Sequence, residues 1–326
     1  MEKRKLWGNV IPGNSSKRKA EVMELGSPTF RNMTLDTVRW ILTVRGGKFH
    51  KNGKKVIDTY THIWVKSGDP DYRDSFEDEP YLIPFIAEGS RQAVVLVPGG
   101  GYCMKSMENE GTQIAQRLQQ AGITAFVLWY RTNPYYQPYP LMDMQRAVRY
   151  VRFHAKDYGY DPDKIGAIGF SAGGAQVSLF SNVLRRGLLD IPKYQWDEID
   201  KVSDELNHIG LVYPALSYHF NSTMLYASFP AEKVRREAER KQLCKVYDAV
   251  ANMNTSGIPH FICYGTKDDM VSLPRIQEYI EILKNTNTPY TEIPIEGAGH
   301  GYGASLDNAQ YAFWVDEYIR WVKQQK

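Results

Sequence analysis

In the run Gly169-Phe170-Ser171-Ala172-Gly173-Gly174 a serine stands between glycines two positions before and two after it, directly behind the short apolar run 165–168. The apolar run reads as a buried strand, and the glycine spacing as a tight strand-to-helix turn that presents a serine hydroxyl. At such a turn the flanking backbone comes so close that a side chain two positions away on either side would collide, so the spacing has a steric cause. The chemistry on offer is nucleophilic attack by a hydroxyl. That needs a base to take its proton and donors to hold the oxyanion that forms.

Three further stretches could supply these parts. The apolar run 93–97 opens into Pro98-Gly99-Gly100-Gly101-Tyr102, a glycine loop in which the amides of Gly100 and Gly101, joined by that of Ala172 at the start of the next helix, are placed to face a substrate oxygen. The run 260–264 ends in Gly265-Thr266-Lys267-Asp268-Asp269-Met270-Val271, a strand end carrying adjacent carboxylates. The run 291–295 reaches Glu296-Gly297-Ala298-Gly299-His300-Gly301. Of the seven histidines only His300 lies in a small-residue loop after an expected strand. His62 and His208 sit in or beside apolar strand patterns and His154 on a helix, which are packing or surface positions. The order Ser171, Asp, His300 is that of α/β-hydrolase triads, and the residues alone leave Asp268 and Asp269 both open as the acid. Glu110 reads as a cap partner near a helix start, and Asp143 with Arg131 as a structural pair, so none of the three is placed in the catalytic set.

The elements that must position these side chains alternate as a mostly parallel, doubly wound α/β sheet requires. Strands are expected over 93–97, 123–129, 165–168, 209–213, 260–264 and 291–295. Helices are expected near 110–121, over 141–155, 275–283 and 231–245, and as a final stripe through Tyr311, Trp314, Val315, Tyr318, Ile319 and Val322. An early, antiparallel strand is expected over 56–65. The stretch 215–258 is longer than a crossover needs and predicts a small cap insertion, which would roof a site at the carboxyl ends of the strands.

Composition suits one sizeable domain: 326 residues, 43% hydrophobic and 13% aromatic. The expected division is a basic extension over 1–75 and a catalytic domain over 76–326. Residues 1–55 hold 13 Lys/Arg against 4 Asp/Glu, leaving 27 against 33 for the rest. No nucleic-acid signature accompanies that charge, and the apolar stretch 37–44 suits an extension packed on the domain or on another subunit, which leaves a homo-oligomer open. The basic amino terminus has no apolar leader-like run and nothing has the length of a membrane span, so a soluble, cytoplasmic protein is expected. Cys103, Cys244 and Cys263 form neither a disulfide framework nor a zinc pattern. Cys103 beside the glycine loop reads as an inert thiol rather than a reactive one. No metal or cofactor is implied.

Taken together, Pro98-Gly99-Gly100-Gly101-Tyr102, Tyr130-Arg131, Pro140-Leu141 with Asp143, Arg149 with Arg152, Gly169 to Gly174, and Gly265-Thr266 with Asp268 resemble the acetyl-xylan-esterase-like α/β-hydrolases, relatives of the hormone-sensitive-lipase type of esterase. The resemblance spans about 78–325 and aligns Asp268, with Val271 three residues on, as the acid. Pro98 departs from the pattern, since many lipases and esterases carry a histidine there; backbone donors survive that change. The first 75 residues carry no such resemblance. The resemblance implies a serine esterase acting on a small ester, specifically an acetylated carbohydrate. Tyr102, Tyr136 and Tyr302, and less so Tyr135 and Tyr139, are then expected to stack on sugar. The same triad would also cleave amides, and a silent hydrolase fold would only bind.

Overall fold

Five residues, Ala93–Val97, form a strand without one exposed side chain, and its alternation divides the interior. Ala93, Val95 and Val97 face one hydrophobic layer, while Val94 and Leu96 face the other. A strand buried on both faces belongs in the middle of a helix-covered sheet. The protein, described here from a computed structural model covering residues 2–13, 79–102, 105–132, 135–182, 194–253 and 257–325, has that sheet. The stretch 37–44, the strand expected over 56–65, His62, Cys103 and most of the expected extension lie outside the described residues.

The strands are β1 (Arg4–Lys5), β2 (Tyr81–Phe85), β3 (Ala93–Val97), β4 (Thr124–Trp129), β5 (Ile165–Phe170), β6 (His208–Val212), β7 (His260–Gly265) and β8 (Tyr290–Ile295). They lie in the order β1-β2-β4-β3-β5-β6-β7-β8. Pairing is antiparallel for β1 with β2 and β2 with β4, and parallel from β4 through β8. The chain therefore moves one way from β3 to β4 and the other way from β5 onward. That reversal opens a crevice at the carboxyl ends of β3 and β5, where ligands of such sheets bind.

The helices are α1 (Gln113–Gln120), α2 (Tyr139–Phe153), α3 (Ala155–Tyr158), α4 (Ala172–Asn182), α5 (Ser222–Ser228), α6 (Ala231–Arg235), α7 (Glu237–Val246), α8 (Leu273–Asn285) and α9 (Ala309–Gln324). In α9 the expected stripe of Trp314, Val315, Tyr318, Ile319 and Val322 is buried. One long helix was expected over 231–245. Instead Arg236, with ψ 115°, is extended and separates α6 from α7. Val234 on α6 and Cys244 on α7 are both buried in the same core layer. No helix among the described residues is long and apolar enough to cross a membrane.

Two strands escape the sequence reading. Tyr81–Phe85 carries Pro84, which argues against a central strand. The two-residue β1 covers only Leu82 and Tyr81, so at Pro84 the strand is in effect an edge and the missing N–H costs nothing. Residues 4–13 are tied down by the domain: Trp7 Nε1 donates to Asp143 Oδ1 at 2.9 Å, Arg146 Nε donates to the Leu6 carbonyl at 2.8 Å, and Arg131 Nη1 donates to the Pro12 carbonyl. Leu6 and Trp7 are buried.

Candidate active site

Ser171 sits between β5 and α4 with φ 50°, a left-handed conformation rarely adopted by a residue with a side chain. Three features hold it there. Its amide donates to the Val212 carbonyl at 3.0 Å, and its carbonyl accepts from Ala175 and Ala215. A Cβ on Gly173 would collide with the Val97 carbonyl, and one on Gly169 with the backbone of Gly173. The two glycines thus let β3, β5 and α4 close on one another, which is the steric cause anticipated for their spacing.

His300 Nε2 lies 2.8 Å from Ser171 Oγ, and its Nδ1 lies 2.8 Å from Asp268 Oδ2. With Nδ1–H donating to the carboxylate, Nε2 is left to accept the serine proton. Asp268 is itself fixed, since Oδ1 accepts from the amides of Met270 at 2.9 Å and Val271 at 3.1 Å. The Asp268 side chain is fully buried and that of His300 is 9% exposed, so the pair acts with little solvent around it. Asp269, the neighbouring alternative, is exposed. The structure therefore brings Ser171, His300 and Asp268 into one hydrogen-bonded chain.

The glycine loop abuts this chain. A Cβ on Gly99 would stand 2.8 Å from Ser171 Cβ. The Gly99 amide donates to Glu110 Oε2 at 2.6 Å, and its carbonyl accepts from Ser106 at 3.1 Å. Gly99 is thereby committed to the loop's base, and Gly100 and Gly101, both with positive φ, form the tip beside the serine. Ala172 opens α4, so its amide has no acceptor within the helix. Tyr130 Oη donates to the Pro98 carbonyl at 2.7 Å and pins the strand end.

Glu110 differs from its expected role as a cap partner. It stands in a π-turn, Glu108–Thr112, ahead of α1, and is buried. The i→i+5 bonding of that turn rotates the carboxylate inward, where Oε1 accepts from Tyr213 Oη at 2.7 Å. Burial, then the charge of Glu110, raises the Tyr213 phenol well above its ordinary pKa, so the tyrosine keeps and donates its proton. Tyr213 also receives the Gly303 amide at 3.0 Å and packs its ring 4.9 Å from that of His300. Neither Glu110 nor Tyr213 carries a sequence signal for this role.

The tyrosines expected to stack on sugar need correction. Tyr102 is fully buried, lying 6.4 Å from and nearly parallel to Tyr218. Tyr302 is buried against Tyr213, Trp314 and Cys263. Neither offers a ring face to a ligand, because both side chains are buried among other rings. Tyr135 is buried as well, whereas Tyr136 and Tyr139 are half-buried. Cys263 beside Tyr302 is an inert thiol, with burial pushing its pKa up to about 12. Asp143 and Arg131 do form the expected structural pair: the guanidinium is forked on the carboxylate at 2.7 and 2.9 Å, and both side chains are wholly buried. Among the described residues no group of three or more His, Cys, Asp or Glu side chains is disposed to hold a metal ion.

The strand order, the elbow and the carboxyl-end site define an α/β-hydrolase fold. A crystal structure of an acetyl ester-xyloside bifunctional hydrolase from Caldicellulosiruptor lactoaceticus superposes with a TM-score of 0.64 at 26% identity, over 80% of this chain and 93% of that one. Within that fold the chain belongs to the BD-FAE family, which it matches over residues 81–281. Among curated relatives, an endo-1,4-beta-xylanase B of Butyrivibrio fibrisolvens is 35% identical over 263 residues, 76% of this chain and 38% of the relative. An acetylxylan esterase of Xylanibacter ruminicola is 37% identical over 110 residues, 33% of this chain and 23% of the relative. The chain thus spans well under half the length of these two curated relatives.

Proposed function

We propose that the protein is a serine carboxylic-ester hydrolase that removes acetyl groups from sugars or oligosaccharides. The observation that carries this reading is the pair of 2.8 Å contacts linking Ser171, His300 and Asp268. Ser171 Oγ attacks the ester carbonyl as its proton passes to His300 Nε2. The resulting oxyanion is held by the amides of Gly100, Gly101 and Ala172. The tetrahedral species then collapses, and the departing alcohol takes the proton back from His300. A water molecule, deprotonated by the same nitrogen, releases the acetate and restores the serine. Asp268 orients the imidazole and stabilises its charged form throughout.

The acetyl preference is supported by the cap. Tyr218, at the start of the insertion, packs on Tyr102, Phe229 and Tyr247, and this aromatic cluster fills space behind the glycine loop. Each acyl methylene that finds no room forfeits about 0.8 kcal/mol of burial and adds overpacking on top. The sugar side is supported by the similarity to an acetylxylan esterase and to an acetyl ester-xyloside bifunctional hydrolase. Tyr136 and Tyr139, both half-buried, are the remaining candidates to contact it.

The test is kcat/KM across acetyl, butyryl and octanoyl esters, acetate release from acetylated xylo-oligosaccharides, and fluorophosphonate labelling mapped by peptide. Acetyl should be favoured, acetate released, and the label found on Ser171. Preference for octanoyl esters, or cleavage of aminoacyl amides without acetate release, would replace the substrate assignment. A label absent from Ser171 would overturn the reaction class.

A further inference from the structure

The carboxylate of Glu110 is buried within one residue's breadth of the nucleophile: the Cβ position of Gly99 lies 3.0 Å from Glu110 Oε2 and 2.8 Å from Ser171 Cβ. On electrostatic grounds this is the wrong place for a negative charge, because the reaction develops an oxyanion on the neighbouring amides. What the charge does instead is bind two loops at once. Oε2 takes the Gly99 amide at the base of the glycine loop, and Oε1 takes the Tyr213 hydroxyl. The same hydroxyl oxygen accepts from Gly303, three residues beyond His300. Asn109, the preceding residue of the π-turn, accepts the Ala304 amide on Oδ1 at 3.1 Å and again on its own carbonyl at 3.0 Å. One turn of π-helix therefore reaches both the loop that supplies oxyanion donors and the loop that carries the base.

We propose that Glu110, acting through Tyr213, is a positioning residue that sets the glycine loop at its distance from Ser171 and His300. The inference rests on the serine-hydrolase reading above and adds a residue that touches neither substrate nor reacting atoms. Among the described residues the donors and acceptors of this relay match: the two oxygens of the carboxylate take the Gly99 amide and the Tyr213 hydroxyl, and the phenol both donates and accepts. Glutamine at position 110 would offer one acceptor and one donor group, leaving either the Gly99 amide or the Tyr213 hydroxyl proton without its acceptor. The misplaced loop would then hold the transition state less well while the ground state bound as before.

The experiment measures kcat and KM on an acetyl ester for wild type, Glu110→Gln and Tyr213→Phe, with turnover expressed per serine titrated by a fluorophosphonate. Normalisation removes any loss due to unfolded protein, and Tyr213→Phe, lighter by one oxygen with its ring retained, decides the matter if Glu110→Gln does not fold. Both variants should lower kcat per titrated site by about 10²-fold, the scale of a misplacement near 1 Å, with KM within about threefold of wild type. A kcat per site unchanged within about threefold, a rise in kcat from removing the charge, or an effect on KM alone would overturn the proposal. If the wild-type protein itself neither turned over nor took the label at Ser171, the underlying reading would fail instead, and that result is distinct from an unchanged variant.

Discussion

A serine hydroxyl is a weak nucleophile until a base accepts its proton, and here each member of the chain depends on the one behind it. Ser171→Ala and His300→Ala should each lower ester turnover on the order of 10⁴-fold or more, with the double variant hardly worse, because the residues act as a unit. Steady-state kinetics on protein with an unchanged circular dichroism spectrum checks this, and a folded Ser171→Ala retaining a tenth of the activity would end the mechanism. The neighbouring carboxylates separate in the same way. Asp268→Asn should cost orders of magnitude by presenting the wrong partner to His300 Nδ1, and the exposed Asp269→Asn should cost less than about threefold. Ser171 and His300 were legible in the sequence because their signals are local, glycines forced by a tight turn and a small-residue loop after an apolar strand, whereas the choice of Asp268 over Asp269 came from the family resemblance. Glu110 was not. Its partners Gly99 and Tyr213 lie 11 and 103 positions away, and only the folded sheet brings them together.

At the scale of elements, legibility followed burial. Strands covered on both faces and helices with one apolar stripe could be read directly, as β3, β5, β7 and α9 were. What failed was any element whose reason lies in another one: β2 with its proline tolerated by a short neighbour, α6 and α7 divided at Arg236, and β1 held by Trp7 on Asp143. The joint between β4 and α2 gives a test at this scale. Asp143 takes Trp7, the Arg131 amide and the Arg131 guanidinium together, all out of water. Asp143→Ala strands a buried cation and should destabilise the fold by about 3–5 kcal/mol, read as a shifted urea midpoint. Lys241→Ala breaks a pair exposed to 70% and 68% on α7 and should stay within about 0.5 kcal/mol. Equal effects from the two would mean that burial does not set the worth of charge pairs in this protein.

Across the whole molecule, the two ends of the sheet have opposite tasks. The carboxyl ends hold His300, which the proposed mechanism requires to exchange protons, while the amino ends of β6 and β7 hold the buried His208 and His260. Among the described residues His208 has no hydrogen-bond partner on either ring nitrogen; it lies over Gly166 and meets Trp321 edge-on at 5.3 Å. His260 donates from Nδ1 to the Ile258 carbonyl at 2.6 Å and accepts from Tyr279 Oη at 3.0 Å. Tyr279 can be the donor because its oxygen already accepts from Asn182. Burial lowers both pKa values from 6.5 to about 4, opposed at His260 only by the carbonyl bond. An unfolded chain takes up these two protons between pH 6.5 and 4 while the folded chain does not, so unfolding consumes protons in that window. The contribution is whole above about pH 6.5 and is lost as the pH falls toward 4, on the order of 3 kcal/mol for each histidine. Stability should therefore fall as the pH drops through this window. Urea midpoints from pH 7.5 to 4.5 should fall with a slope near two protons, and His208→Leu, which removes one titrating group, should flatten the slope to about one. Because His208 stands at the end of the sheet away from Ser171, that variant should leave the pH dependence of initial rates unchanged while moving the pH at which activity is lost on prolonged incubation. A midpoint independent of pH over the window would show that neither histidine is held neutral by the fold.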